Sequence, residues 1–321
     1  MSSPDVTVGV DIGGTNTVFG FVERNGACLA ESSIETRAQD PPEQLIERLH
    51  AAITTMHAGI PSRPTIRGIG IGAPNANYYR GTVEYPPNLS WKGVVDVVGL
   101  VRKHMDVPVA ITNDANAAAL GEGMFGAAKG MKDYIVITLG TGVGSGLVAN
   151  GQLIYGADGF AGELGHTIVD PAGRWCGCGR RGCLEAYASA GGICRTAFEL
   201  LAESRDESPL RHIAFDELTA KKLADAALKG DRVARAAFDR TARILGMKLA
   251  DAVTHTSPEA IILFGGLANA GDLIIGPTKM YMEEFMLNIF RNKVKILPSG
   301  LTEGNTAVLG ASALIWKELE R

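Results

Sequence analysis

From Val6 to Ile12 hydrophobic and polar positions alternate in a run rich in β-branched residues, which predicts a strand. Gly13-Gly14 interrupts it, Thr17 to Val22 resumes the strand pattern, and a third strand follows the turn signal Asn25-Gly26. Three short strands joined by tight turns thus open the chain. The pattern then changes to a helical one over Pro42 to about His57. Ile66 to Gly72 reads as a strand, Val94 to about His104 as a helix, and Val107 to Thr112 as another strand.

A second cycle begins near residue 133. Tyr134–Leu139 and Gly146–Ala149 are strand-like and flank a glycine-dense turn, and residues from about Gly151 to Leu184 are loop-rich. Helical patterns cover Phe215–Leu228 and Arg232–His255, Ala260–Phe264 is a buried strand running into Gly265-Gly266, and a helix from about Thr306 closes the chain. Strands alternating with helices give an α/β class. The recurring glycine-threonine hairpin predicts two similar lobes with a cleft between them. Without a low-complexity linker, short hinges should join them.

Composition narrows the function. The chain has 321 residues, 46% hydrophobic and 21% charged, which is ordinary for a globular enzyme of about two domains. A net charge of -4 and a pI near 5.9 leave no basic surplus for nucleic acid and are too small for an acidic tail. No apolar run approaches the ~18 residues of a membrane span, and Met1 to Asp5 lack the basic-then-apolar pattern of a signal peptide. The expected location is the cytoplasm, with no membrane partner.

Asp11-Ile12-Gly13-Gly14-Thr15-Asn16 lies between two strands. A dinucleotide fingerprint needs a helix after its glycines and a different spacing, so that reading fails. What remains is either a tight hairpin needing positive φ or a nest of backbone N–H groups for an anion, with Thr15 adding a hydroxyl. Leu139 to Gly146, containing Gly140-Thr141-Gly142, repeats the character. Two such turns, each opening a lobe, favour a polyphosphate held from both sides. Gly265-Gly266 suits close approach of a planar ligand such as adenine, and equally a plain strand-to-helix turn.

Val109 to Ala117 is a strand running directly into an alanine-rich helix, with Asn113 and Asp114 at the junction. Either side chain can cap the helix. The other is left at the carboxyl end of a strand, where open α/β sheets bind ligands and an aspartate can accept a hydroxyl proton.

Three of the five cysteines, Cys176, Cys178 and Cys183, crowd into eight residues, and His166 precedes them. Four N/S donors are what a closed zinc site requires, and glycines between the cysteines let thiolates converge. The alternative is reactive thiols activated by Arg180 and Arg181. Cys28 and Cys194 stand apart and read as small buried apolar residues. Glu163 and Glu185 flank the cluster. They are either solvated surface carboxylates or acceptors for a polyol.

Together, Asp11 to Thr15, the Leu139–Leu147 turn, Glu163-Leu164-Gly165-His166 and the run from Cys176 to Glu185 resemble the ROK family of repressors and sugar kinases. The similarity extends from about residue 6 to the last helix. It implies a two-lobed actin/hexokinase-like (ribonuclease H-like) fold with sugar in the interlobe cleft. One lobe would be residues 1–112 completed by the helix at about 306–321, and the other residues 113–305 with the zinc loop. It implies Asp114 as catalytic base, and Asn88, Asn113, Glu163, His166 and Glu185 as sugar contacts. His166, Cys176, Cys178 and Cys183 would hold zinc, with the second ring nitrogen of His166 toward the sugar. Asp11 would face magnesium-bound phosphates of ATP, cradled by Gly13, Gly14, Thr15, Asn16, Gly140, Thr141 and Gly142, while Gly265 and Gly266 line the adenosine site. Many members have lysine where this chain has Asn16.

The implied activity is ATP-dependent phosphorylation of a hexose 6-hydroxyl, glucose first. N-acetylmannosamine, N-acetylglucosamine, mannose and fructose are alternatives, as is polyphosphate for ATP. The family also implies homodimers or homotetramers. Its repressors carry a helix-turn-helix ahead of the first glycine turn, and here only about ten residues precede that turn. A sugar-binding regulator without catalysis is the stronger rival.

Overall fold

The computed structural model describes residues 3–301 and 306–321. The chain divides into two compact units: Met1–Gly130 with Leu153–Ala161 and Gly300–Arg321, and Met131–Gln152 with Gly162–Ser299.

Unit 1 begins with β1 (Asp5–Ile12), β2 (Asn16–Glu23) and β3 (Cys28–Glu35), an antiparallel meander. Helix α1 (Pro42–Gly59) and strand β4 (Thr65–Gly72) follow. The small strands β5 (Ala76–Asn77), β6 (Thr82–Glu84) and β7 (Val94–Val95) form a separate sheet. Helix α2 (Val97–Arg102), strand β8 (Val109–Thr112) and helix α3 (Asp114–Met124) complete this stretch. The main sheet has the order β3-β2-β1-β4-β8, with β4 and β8 parallel to β1. One face packs Val6, Val8, Val10, Phe19, Ile69 and Ile111 with Leu45 and Leu49 of α1.

In unit 2, β9 (Tyr134–Leu139), β10 (Val143–Ala149) and β11 (Gln152–Leu153), whose second residue counts with unit 1, precede the cysteine loop. After it come α4 (Glu185–Ala188), α5 (Ala190–Glu203), α6 (Ala220–Leu228), α7 (Arg232–Thr256), β12 (Ala260–Phe264), α8 (Ile275–Phe285) and β13 (Lys295–Pro298). The sheet order is β11-β10-β9-β12-β13, with β12 parallel to β9 and β13 parallel to β12. Each sheet is therefore a glycine-turn hairpin extended by parallel strands, which is the duplication expected from the two hairpins. The last helix, α9 (Thr306–Glu318), returns to unit 1.

The close seat of α9 on the sheet depends on small residues. A Cβ on Gly9 would lie 2.1 Å from the Val308 carbonyl oxygen, and one on Gly70 would lie 1.8 Å from that of Ala311. On its other side, α9 meets α3 at Gly310, whose Cβ would come within 2.5 Å of the Ala117 oxygen. Residues 113–130 accordingly pack with unit 1, beyond the boundary expected at residue 112. The ends of the expected ranges at residues 1–2 and 302–305 lie outside the described residues.

Several local readings change. The helix expected over Phe215–Leu228 begins only at Ala220, where Thr219 caps it by accepting from the Lys222 N–H. The helix expected from Val94 starts only at Val97, because Val94–Val95 pairs with β6 and Asp96 caps the helix by accepting from the Gly99 N–H. Cys194 is buried as expected, but Cys28 is exposed, because it opens β3 at the edge of the sheet.

Candidate functional site

In unit 1, Asp11 lies near the end of β1, opposite Gly72 of β4, which pairs in turn with Thr112 of β8. The two residues after Thr112 are Asn113 and Asp114. A Cβ on Gly72 would sit 3.6 Å from Asp11 Oδ1 and 3.9 Å from Asp114 Cα, so this glycine separates the two aspartates with backbone alone. Asn113 caps α3, its Oδ1 accepting from the Ala115 N–H at 2.9 Å. The same N–H also reaches Asp114 Oδ1 at 2.8 Å. The cap thus engages both side chains, leaving the Asn113 amide N–H2 and Asp114 Oδ2 for other partners.

Electrostatics set these carboxyls apart. Burial, and then the charge of Asp114, raise the Asp11 carboxyl to about 6. Asp114 itself remains open to solvent, yet the protein packed around it desolvates the carboxylate and raises it too, against opposing backbone hydrogen bonds.

Beside Asp11, the first glycine turn closes through Gly13 N–H to the Asn16 oxygen at 3.1 Å. Thr15 and Asn16 are exposed. Among the described residues, the Gly14 and Thr15 N–H groups and the Thr15 hydroxyl have no protein partner. Gly14 meets Asn88: an added Cβ would lie 3.0 Å from the Asn88 oxygen and 3.1 Å from its Cβ. Asn88, Asn113, Asp11, Asp114 and the Gly13–Asn16 turn are thereby assembled in one unit.

In unit 2, β9 and β12 are parallel neighbours with Phe264 opposite Thr138, so Gly140-Thr141-Gly142 and Gly265-Gly266 leave the same end of the sheet. Gly265 has φ +100°, and a Cβ there would lie 2.8 Å from the Leu139 oxygen. Gly266 is exposed, with open space where a Cβ would be. Glu185 joins this turn to the cysteine loop. Its Oε2 accepts from the Val143 N–H at 3.0 Å, and its Oε1 lies 3.4 Å from Cys176 Sγ.

The four predicted metal donors converge. One donor atom from each of His166, Cys176, Cys178 and Cys183 lies within 4.8 Å of all the others. Cys178 and Cys183 sulfurs are 3.6 Å apart, and Cys176 Sγ is 3.8 Å from His166 Nδ1. Tetrahedral zinc with Zn–S near 2.3 Å requires donor separations of about 3.8 Å, so the residues fit the ion. The Cys178 thiol is drawn down to about 6: burial opposes ionisation, but hydrogen bonds from the Arg180 backbone and guanidinium outweigh it. With Nδ1 on the sulfur side, His166 Nε2 faces Glu163, 4.0 Å from Oε2. That places Glu163 and the outer nitrogen of His166 together.

The loop's anchor is absent from the sequence reading. Arg174 is largely buried and donates to Glu199, the Thr196 hydroxyl and the Ala186 and Gly192 carbonyls, while stacking 4.5 Å over Tyr187. An arginine two residues before a cysteine carries no periodic signal; its role arises from helices α4 and α5, which the loop reaches only in three dimensions. Among the described residues, no helix is long and apolar enough to cross a membrane.

A family model described as the ROK family matches residues 7–318. A glucokinase of Halalkalibacterium halodurans is 37% identical over 284 residues, covering 87% of this chain and 86% of the relative. A ROK family glucokinase from Streptomyces griseus, solved in complex with glucose and AMPPNP, superposes with TM-score 0.79 at 34% identity, covering 96% of this chain and 98% of that one. A xylose repressor of Caldicellulosiruptor bescii is more distant, 29% identical over 316 residues, covering 97% of this chain and 78% of the repressor.

Proposed function

The chain belongs to the ROK family, and from that premise we propose that it is a kinase transferring the γ-phosphoryl group of ATP to the 6-hydroxyl of a hexose, glucose first. The observation that carries the reading is Asp114. It combines an accessible position, a strand end, a free oxygen and a carboxyl raised by its surroundings, beside a glycine turn with unpartnered amides. A sugar hydroxyl is a poor nucleophile. Asp114 Oδ2 takes its proton as the bond to phosphorus forms, and a raised pKa makes that carboxylate a stronger base.

The remaining roles follow the chemistry of each group. The Asn113 oxygen is engaged in the cap, so its N–H2 donates to a neighbouring sugar hydroxyl. Asn88, Glu163, His166 Nε2 and Glu185 supply further sugar contacts. Glu163 accepts from vicinal hydroxyls, and the imidazole orients them. Zinc, when bound by His166 and the three thiolates, fixes this loop and supplies no step of the reaction. The amides of Gly14 and Thr15 bind phosphate oxygens whose charge builds during transfer; in the second turn Gly140 N–H is already held by the Gly142 carbonyl, which leaves the Thr141 and Gly142 amides for the nucleotide. Magnesium, when bound, offsets that charge, and Asp11, held beside a second carboxylate, gains from a dication. Gly265 and Gly266 leave room for the adenosine moiety.

ADP release with glucose and ATP, compared between wild type and Asp114→Asn, tests the assignment. The amide keeps the cap but cannot take a proton, so kcat should fall by roughly 10²–10⁴-fold with glucose still bound. Unchanged turnover in the variant rejects the base assignment. A wild type that binds glucose without releasing ADP identifies a sugar-binding regulator instead.

A further inference from the structure

We propose that Thr36, which follows β3, is a positioning residue for the first glycine turn and sets its affinity for nucleotide phosphates. The proposal rests on the reading of that turn as a phosphate site. Thr36 is buried, with 1% of its surface exposed. Its hydroxyl donates to the Gly13 carbonyl at 2.7 Å, and its backbone N–H donates to the Thr15 carbonyl at 2.9 Å. The hydroxyl of Thr17 lies 2.9 Å from that of Thr36. Since the Thr36 proton is committed to Gly13, Thr17 is the donor there. One residue therefore holds Gly13 and Thr15 of the turn and bonds Thr17 of the strand that leaves it.

The consequence comes from peptide planarity. The Gly13 carbonyl and the Gly14 N–H belong to one rigid trans unit and point in opposite directions. Fixing the oxygen from below fixes the N–H that faces away. The same holds for the Thr15 carbonyl and the Asn16 N–H. Gly13 and Gly14 carry no side chain to restrict rotation, so without these bonds the peptide unit is free to turn its donor away from an anion. Thr36 is itself braced, because its carbonyl accepts from Arg48 Nη2 at 2.9 Å and Arg48 is paired with Asp40 at 2.9 Å. A donor already aligned before the ligand arrives loses no binding energy to ordering.

Thr36→Val removes the hydroxyl at nearly constant shape, Thr36→Ala does so without crowding, and Thr36→Ser retains it. Calorimetric titration with AMPPNP and steady-state kinetics with ATP and glucose are run on all four proteins. Losing one buried hydrogen bond to the turn should weaken AMPPNP binding and raise the KM for ATP by about five- to tenfold. The KM for glucose should stay within twofold, and serine should restore both nucleotide values. If Thr36→Val fails to fold, Thr36→Ala carries the comparison. Wild-type affinity for AMPPNP in the hydroxyl-free variant overturns the role of Thr36. Parallel rises in the glucose and ATP KM values overturn it too, since they indicate general loosening. A wild type that binds no AMPPNP overturns the phosphate-site reading together with the proposal.

Discussion

Asp11 carries a folding cost. Its carboxyl ordinarily titrates near 3.8 but is raised to about 6 here by burial and by Asp114. Between those values the folded chain holds a proton that the unfolded chain has released, so stability falls as pH rises through this window. Above it the penalty is fully present; below about pH 4 it is absent. A displacement of that size corresponds to roughly 1–3 kcal/mol once partial solvent access is allowed for. Asp11→Asn should therefore raise the melting temperature of the ligand-free protein by a few degrees at pH 7.5 and leave it unchanged near pH 4, while impairing ATP-dependent turnover. Thermal melts across pH 4–8 check this, and a variant less stable at neutral pH would show that the carboxylate is compensated in the fold. The aspartates are legible in the sequence because each lies at or within two residues of the end of a β-branched strand. Thr36 and Arg174 are not, since a threonine after an edge strand and an arginine in a loop acquire their roles only from tertiary partners.

At the scale of elements, the position of Asp114 depends on helix packing. Helix α3 carries it, α9 lies against α3, and α9 is seated on the sheet through Gly9 and Gly70. The Cβ of Gly70→Ala would meet backbone 1.8 Å away, which no side-chain rotation relieves. Moving α9 outward should destabilise unit 1 by at least about 1–3 kcal/mol. It should also lower kcat by displacing α3, whereas Gly59→Ala, with open space at the end of α1, should be neutral or slightly stabilising. Denaturant titration with activity at saturating substrates measures both, and an unaltered kcat in Gly70→Ala would detach the proposed role of Asp114 from this packing. Alternation reveals the long strands, and helical periodicity reveals α1, α7 and α9. It misses α5, which opens on Ala190-Gly191-Gly192 and so looks like a turn. It also misses β5 to β7, which are two or three residues long and too short to establish a period.

For the molecule as a whole, the cluster that fits zinc offers a test of whether sugar and nucleotide binding are separable. All four donors belong to unit 2, in a loop ordered from within by the Ile168–Cys183 and Trp175–Arg181 bridges and held to α5 by Arg174. Those bonds leave Cys178 exposed; Arg180 already holds the turn to the His166 carbonyl at 2.8 Å, and a metal would add a bond from Cys178 to the same centre as the His166 imidazole. Purified protein should contain one zinc per chain by elemental analysis. Cys178→Ser, which weakens one of four bonds, should lower the zinc content and raise the glucose KM by about tenfold or more. The ATP KM should change far less, since the Gly13–Asn16 turn lies in the other unit and Gly140 is tied to α5 through the Ala190 N–H, not through the thiols. Sugar binding should weaken and persist, because Asn88, Asn113 and Asp114 remain in place. Zinc below about 0.1 per chain in wild type, or equal rises in both KM values in the variant, would mean that the four converging donors order the protein without metal.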